Sequence, residues 1–197
     1  MKFLTFVDLH EDKKILKKLI SRAKKDDIDF IVVAGDLSTF ERSLGYLMQE
    51  LNKIGKKILV IHGNHEAEEE MEKKAKEFKN FVFFHKKAVE IEDFVFLGYG
   101  GGGFSQSDPE FRGVARGWYG KYQDKKIILV THGPPFGVSA DKINEDHVGN
   151  KDFRKFIERI VPRLVVCGHI HETAGAVDEI GITKVINPGW EGMTIEL

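Results

Sequence analysis

The sequence predicts an α/β protein made of two packed, mixed β-sheets with helices on the outside. Two observations lead there. Short apolar runs at residues 3–7, 30–34 and 58–61 alternate with amphipathic segments, a βαβαβ order in which parallel strands need helical crossovers. Further on, the runs at 81–84, 88–91 and 94–98 follow one another without room for helices, as in an antiparallel meander.

In chain order, the first run is rich in aromatic and β-branched residues and ends at Asp8, as a buried strand would. Ile15, Leu16, Leu19, Ile20 and Ala23 then fall at helical spacing, with Lys and Asp on the other face. The second run ends at Gly35, and Leu44, Leu47, Met48, Leu51 and Ile54 repeat the helical pattern before the third. Residues 67–78 are heavily charged, Glu early and Lys late, which suits the dipole of a solvated helix. After the meander, 127–131 and 164–167 read as buried strands, with a helix at 152–160 that stops before Pro162. Three short β-like runs, 175–179, 183–186 and 193–197, close the chain. With no linker, low-complexity tract or repeat, the expected organisation is one domain over residues 1–197.

Composition narrows the function. Of 197 residues, 42% are hydrophobic and 15 are Phe, enough for a substantial core. The 30 Lys+Arg nearly balance 31 Asp+Glu, which argues against binding nucleic acid or an anionic membrane by bulk charge. No run approaches the roughly 18 apolar residues of a membrane span, and too few precede Asp8 for a signal-peptide core. The lone Cys167 excludes an internal disulfide and an all-cysteine zinc site. A cytoplasmic protein is expected, with neither membrane nor stable nucleic-acid partner.

The chemistry is written at the strand ends. In open α/β sheets, ligands bind beyond the carboxyl ends of parallel strands. Here those ends carry Asp8 and His10; Asp36; Asn64, His65 and Glu66; His132; and His169, His171 and Glu172. A single such histidine is weak evidence, but five clusters with the same placement are hard to reach by chance. Imidazole, carboxylate and amide oxygen without thiolate suit Mn, Fe, Zn, Ni or Co. One zinc needs only three protein ligands; at least seven candidates suffice for two ions sharing a bridging carboxylate. A two-metal clamp is the apparatus of in-line displacement at phosphorus.

The ordered motifs Asp-x-His, Gly-Asp, Gly-Asn-His-Glu, a lone His and Gly-His-x-His, from Asp8 to His171, resemble the calcineurin-like metallophosphoesterases. The flanks Thr131-His132-Gly133-Pro134-Pro135, His147-Val148-Gly149 and Asn187-Pro188-Gly189 look like its small Icc-type, metallophosphoesterase-domain-containing subgroup. The resemblance implies a four-layer αββα sandwich. It also implies two divalent ions, Mn2+ favoured and Fe, Zn, Ni or Co admissible. Asp8, His10 and His171 would hold the first, Asn64, His132 and His169 the second, and Asp36 would bridge them. A bridging hydroxide would attack phosphorus in line, and His65 would donate a proton or hydrogen bond to the leaving oxygen. The implied activity is a phosphodiesterase acting on small phosphodiesters, cyclic nucleotides among them. A phosphomonoesterase, a nuclease on short single strands and a non-catalytic scaffold are the alternatives.

One departure bears on His65. Protein phosphatases of the superfamily continue Gly-Asp-x-x-Asp-Arg-Gly, whereas this chain has Gly35-Asp36-Leu37-Ser38-Thr39-Phe40-Glu41. The carboxylate that supports the catalytic histidine is missing, with Glu41 or Glu66 as candidate substitutes. Glu66 and Glu172 are also expected to orient site imidazoles from behind. Gly100–Gly103 lacks the Lys-Ser/Thr of a nucleotide P-loop and reads as a mobile turn after the strand at Phe94, with a place at the border of the site as the less favoured alternative. Phe104, Trp118 and Phe136 are expected in loops, where they would pack or flank a substrate base. His62, His85 and His147 are expected to be structural, and Cys167 a buried thiol.

Overall fold

A computed structural model describes all residues except 26 and 41. The first half runs β1 (Lys2–Phe6), α1 (Lys13–Ala23), β2 (Phe30–Val33), α2 (Leu44–Asn52), β3 (Ile58–Val60), α3 (Glu68–Lys76) and β4 (Phe81–Phe83). Then come β5 (Lys87–Ile91), β6 (Phe94–Tyr99), α4 (Pro109–Tyr122), β7 (Lys126–Thr131), a small hairpin of β8 (Lys142–Ile143) and β9 (Asp146–His147), and α5 (Lys151–Ile160). The last strands are β10 (Leu164–Val166), β11 (Val177–Ile180), β12 (Thr183–Ile186) and β13 (Met193–Glu196).

The strands form two large mixed sheets, ordered β13-β1-β2-β3-β4 and β11-β12-β10-β7-β6-β5. In the first, β1 to β4 are parallel and β13 pairs antiparallel with β1. In the second, β12, β10, β7 and β6 are parallel, flanked by antiparallel β11 and β5. Three apolar layers glue the stack. Leu16, Leu19, Leu47, Met48 and Met71 of α1 to α3 cover one outer face, and Phe111, Trp118, Phe153 and Phe156 of α4 and α5 cover the other. Between the sheets lie Phe3, Val32, Leu59, Phe96, Ile128 and Val166, with Phe96 edge-on to Phe3 and Phe30 at 5.7 and 5.5 Å. This is the expected four-layer sandwich. The core of each sheet is fully covered, which is why its parallel strands read as unbroken apolar runs rather than alternating ones.

Two local expectations are corrected. Residues 81–84 do not open an antiparallel meander: β4 joins the first sheet parallel to β3, Ile58 opposite Phe81. The charged segment before it, α3, is therefore a crossover, held by buried Met71 and Ala75. Of the three runs expected in the meander, only β5 and β6 pair antiparallel with each other. Trp118 is not in a loop but in α4, 6% exposed. Gly113, Gly117 and Gly120 hide that helix from a propensity reading. Its signals are the Asp108 side chain accepting from the Phe111 amide, Pro109 in the first turn, and Phe111, Ala115, Trp118 and Tyr122 buried on one face.

Candidate metal centre

The site lies where the strand ends of both sheets meet. Asp8 and His10 follow β1, Asp36 follows β2, and Asn64 and His65 follow β3; the second sheet supplies His132 after β7 and His169 and His171 after β10. These side chains converge. The donor atoms of Asp8, His10 and His171 lie within 4.8 Å of one another, as do those of Asp36, His132 and His169, and of His10, Asp36 and His65. His10 Nε2 and His171 Nε2 face each other at 3.0 Å. Asp36 Oδ2 is 3.4 Å from His132 Nε2, 3.7 Å from His10 Nε2 and 4.0 Å from His65 Nε2. Asn64 Oδ1 joins the second group, 3.0 Å from His132 Nε2. Asp36 thus stands between the groups, and the eight residues singled out in the sequence share one place.

Local backbone makes the convergence possible. Asp8, His10, Asp36 and His169 all have left-handed φ, between 43° and 72°, a conformation non-glycine residues seldom adopt and one found at functional sites. Two glycines let the loops close. A Cβ at Gly63 would sit 1.9 Å from Asp36 Oδ1, and one at Gly168 would sit 2.3 Å from the Val7 side chain.

Glu66 fixes the loops after β2 and β3 to each other. Buried, its carboxylate accepts from the amides of Asp36 (3.1 Å), Ser38 (2.7 Å) and Gly63 (3.0 Å) and from the Ser38 hydroxyl (3.1 Å). Burial raises its pKa against those bonds. It therefore orients backbone rather than an imidazole, contrary to expectation, and Glu172 is exposed. Sequence reasoning had no signal for this role beyond a carboxylate next to a site histidine.

The donors are prepared electrostatically. Burial alone would raise Asp36, but the His132 hydrogen bond and charge outweigh it and hold it down to about 2. Burial likewise opposes the His132 imidazolium, yet its contact with Asp36 pushes it up to about 9. His132 Nδ1 donates to the Ala34 carbonyl at 2.9 Å, so Nε2 is the atom turned to the site. Burial lowers His169 to about 4 and also lowers His10, leaving neutral imidazoles. The residues fit divalent ions. Asp8 Oδ1 and His169 Nε2 are buried with no hydrogen-bond partner among the described residues, and two imidazole nitrogens oppose each other at 3.0 Å. Buried polar atoms are normally satisfied; a nitrogen- and oxygen-only donor set suits borderline cations.

His65 is placed by its amide, which donates to Asp36 Oδ1 at 3.0 Å. Its Nδ1 is buried and has no partner among the described residues. Glu66, saturated by four donors, is not the substitute carboxylate, and Glu41 lies outside the described residues.

The remaining histidines are structural, as expected, and two of them tether the glycine turn. The Gly100 amide donates to His85 Nδ1 (2.7 Å) and the Gly101 amide to the His62 carbonyl (2.9 Å). That turn delivers Phe104, whose ring lies 4.7 Å from His169. His147 pairs with buried Asp141 at 2.5 Å and its ring lies 5.6 Å from that of Phe136. Cys167 is fully buried, its thiol 3.4 Å from the Ile186 carbonyl. Two residues that sequence reasoning passed over also touch site histidines: the ring of Phe40 lies 4.7 Å from His65 and that of Trp190 6.2 Å from His171. A cleft of about 470 Å³ opens over Asp8, His10, His65, His171 and Trp190.

Comparison with known proteins agrees. The sequence profile of the calcineurin-like phosphoesterases matches residues 1–173. An uncharacterized protein of Methanocaldococcus jannaschii is 32% identical over 201 residues, spanning 95% of this chain and 88% of its own length. The crystal structure of a Thermus thermophilus protein superposes with a TM-score of 0.76 at 16% identity, covering 95% of this chain and 88% of its own. A structure described as a novel archaeal phosphodiesterase gives 0.58 at 17% identity, covering 96% and 84%. At such identities the two structures speak to the fold alone. No described helix is long and apolar enough to cross a membrane.

Proposed function

Since the chain belongs to the calcineurin-like phosphoesterase family, we propose that it is a metal-dependent phosphodiesterase acting on small phosphodiesters. The observation that carries the reading is the convergence of seven nitrogen and oxygen donors from both sheets, with Asp8 Oδ1 and His169 Nε2 left without protein partners among the described residues. In this reading Asp8, His10 and His171 would hold one divalent cation and Asn64, His132 and His169 a second, with Asp36 available to both; Mn2+ is the favoured ion. When bound, such a pair supplies Lewis acidity toward the phosphoryl oxygens and a water of lowered pKa for in-line displacement.

The chain's own residues do the rest. Asp36, buried and kept ionised, sets the spacing of the two donor groups. Glu66 holds the loops carrying Asp36 and Asn64 in register. His65 turns Nε2 toward the cluster, 4.0 Å from Asp36 Oδ2, where it can hydrogen-bond the leaving oxygen. Four positive charges from two cations, less Asp8, Asp36 and one hydroxide, leave about one net positive charge. Such a site would attract the monoanionic phosphate of a diester. The cleft over Asp8, His10, His65, His171 and Trp190, about 470 Å³, has room for a small diester.

The test is turnover of bis-p-nitrophenyl phosphate and p-nitrophenyl phosphate after chelation and after Mn2+ is restored. Restored hydrolysis of the diester above the monoester supports the proposal. Monoester hydrolysis alone would make it a phosphomonoesterase, and no turnover of either would leave only a scaffold.

A further inference from the structure

Three large aromatic side chains stand exposed around the donor cluster. Phe40 is 69% exposed, Phe104 62% and Trp190 37%, and each ring touches a different site histidine: His65, His169 and His171. The rings connect. Successive ring centroids lie 4.7 Å apart from Phe40 to His65, 4.8 Å from His65 to His10, 4.8 Å from His10 to His171 and 6.2 Å from His171 to Trp190. On the other donor group, Phe104 leads to His169 and then His132, at 4.7 and 5.3 Å. Each donor group thus carries an aromatic on its outer side, and His65 carries a third.

The backbone segments that carry Trp190 and Phe104 are anchored. Trp190 follows a turn in which the Gly189 amide donates to buried Asn187 Oδ1 at 2.9 Å, Asn187 Nδ2 donates to the Ile170 carbonyl at 3.2 Å, and the Gly189 carbonyl accepts the Val7 amide at 3.1 Å. The turn is therefore hooked to the strand ends that bear Asp8 and His171. Phe104 lies between two anchors: Gly100 and Gly101 on His85 and His62 before it, and after it the Ser105 carbonyl accepting from Asn150 Nδ2 at 3.0 Å. Exposed aromatic rings clustered around one cleft mark a ligand-binding surface, and anchored backbone lowers the entropy cost of binding there.

We infer that the substrate is a phosphodiester bearing a planar aromatic group on its non-leaving arm, which stacks on Phe104 or Trp190, while Phe40 faces the leaving arm beside His65. This rests on the phosphodiesterase reading above. Stacking on an aromatic side chain is tolerant of ring identity and changes affinity by about tenfold per ring.

The experiment uses the Mn2+-loaded full chain and three diesters with one leaving group: p-nitrophenyl phosphates esterified with methyl, phenyl and thymidine 5′-oxygen. The phenyl and thymidine arms should raise kcat/KM about tenfold over methyl, through KM. In Phe104→Leu/Trp190→Leu, which keeps apolar bulk and loses both ring faces, that preference should fall at least about fivefold; single variants assign the ring. Ile182→Ala, at an 84% exposed position in the β11–β12 turn, is the control and should keep the preference. A preference kept by the double variant, or a thymidine gain without a phenyl gain, overturns the inference. A second readout separates the two readings. By calorimetry with Mn2+, thymidine 5′-monophosphate should bind about tenfold more tightly than methyl phosphate, and less so in the double variant. Equal binding overturns the aromatic inference even if all diesters turn over; tighter nucleotide binding without turnover preserves it and sinks the phosphodiesterase.

Discussion

Asp36 Oδ2 lies 3.4 Å from His132 Nε2, and both residues are buried. Each holds the other charged, Asp36 down to about 2 and His132 up to about 9. In metal-free protein at pH 7, His132 is therefore an imidazolium, and a cation must expel that proton to use Nε2. Metal uptake should release about one proton at pH 7, and affinity should climb with pH and level off near 9. Calorimetry in two buffers of different ionisation enthalpy measures the release. Affinity that is flat between pH 7 and 9 contradicts the pair.

Glu66 is expected to matter more than an ordinary surface carboxylate. Glu66→Ala strips the acceptor from three backbone amides and the Ser38 hydroxyl. Unsatisfied buried donors cost about 1–3 kcal/mol each, with relaxation and water entry reducing the sum. A loss of about 2–4 kcal/mol by denaturant unfolding, with weakened metal binding, is expected. A loss below roughly 0.5 kcal/mol, the range of surface substitutions, would show that the clamp is unimportant.

His65 has no partner for Nδ1 among the described residues. It should serve good leaving groups little and poor ones more. His65→Ala is expected to leave metal stoichiometry intact and slow diesters with alkyl leaving groups by about ten- to a hundredfold, with p-nitrophenyl esters losing less. Equal losses across leaving groups would assign His65 to positioning instead.

Acid should loosen the glycine turn. Burial and the neighbouring His62 and lysine charges lower His85 to about 3, and burial with the His132 charge lowers His62 to about 4. Both folded-state values lie below the unfolded value of 6.5, so their contribution is full above pH 6.5 and lost as pH falls through about 4 and about 3. Protonated His85 can no longer accept from the Gly100 amide. In NMR titration of the metal-free protein, His85 should stay neutral until pH falls toward about 3, and the Gly100 and Gly101 amides should lose exchange protection as it charges. A His85 midpoint near the ordinary 6.5 would refute this.

Much of the centre was legible because its chemistry is punctuated by secondary structure. A run such as Ile58–Val60 ends abruptly in His62, Gly63, Asn64 and His65, and the change from apolar to ligating residues marks both the strand end and the site. Less legible was anything decided by partners distant in sequence. Whether β4 pairs with β3 or β5 depends on which core Phe81 and Phe83 enter, and both options read the same locally. Helix α4 has three glycines on its exposed face, so propensity argued against what packing of Phe111 and Trp118 decided. Phe40 and Trp190 lie in turns that gave no pattern; only three dimensions show that their rings reach His65 and His171.

The division of donors between the sheets has a consequence for how the chain stays folded. His10 and His171 are 161 positions apart, and Asn64 and His132 are 68 apart, yet each pair comes within 3.0 Å. A cation at either place would tie one sheet to the other. Held only by the assembled donors, it would leave as they separate, so it would stabilise the folded state by mass action, about 2.7 kcal/mol at a hundredfold excess over Kd. A protein whose only cysteine is buried and unpaired would thus take from ions the cross-sheet tie that disulfide-bonded proteins take from sulfur. Starving it of metal would threaten its lifetime as well as its chemistry.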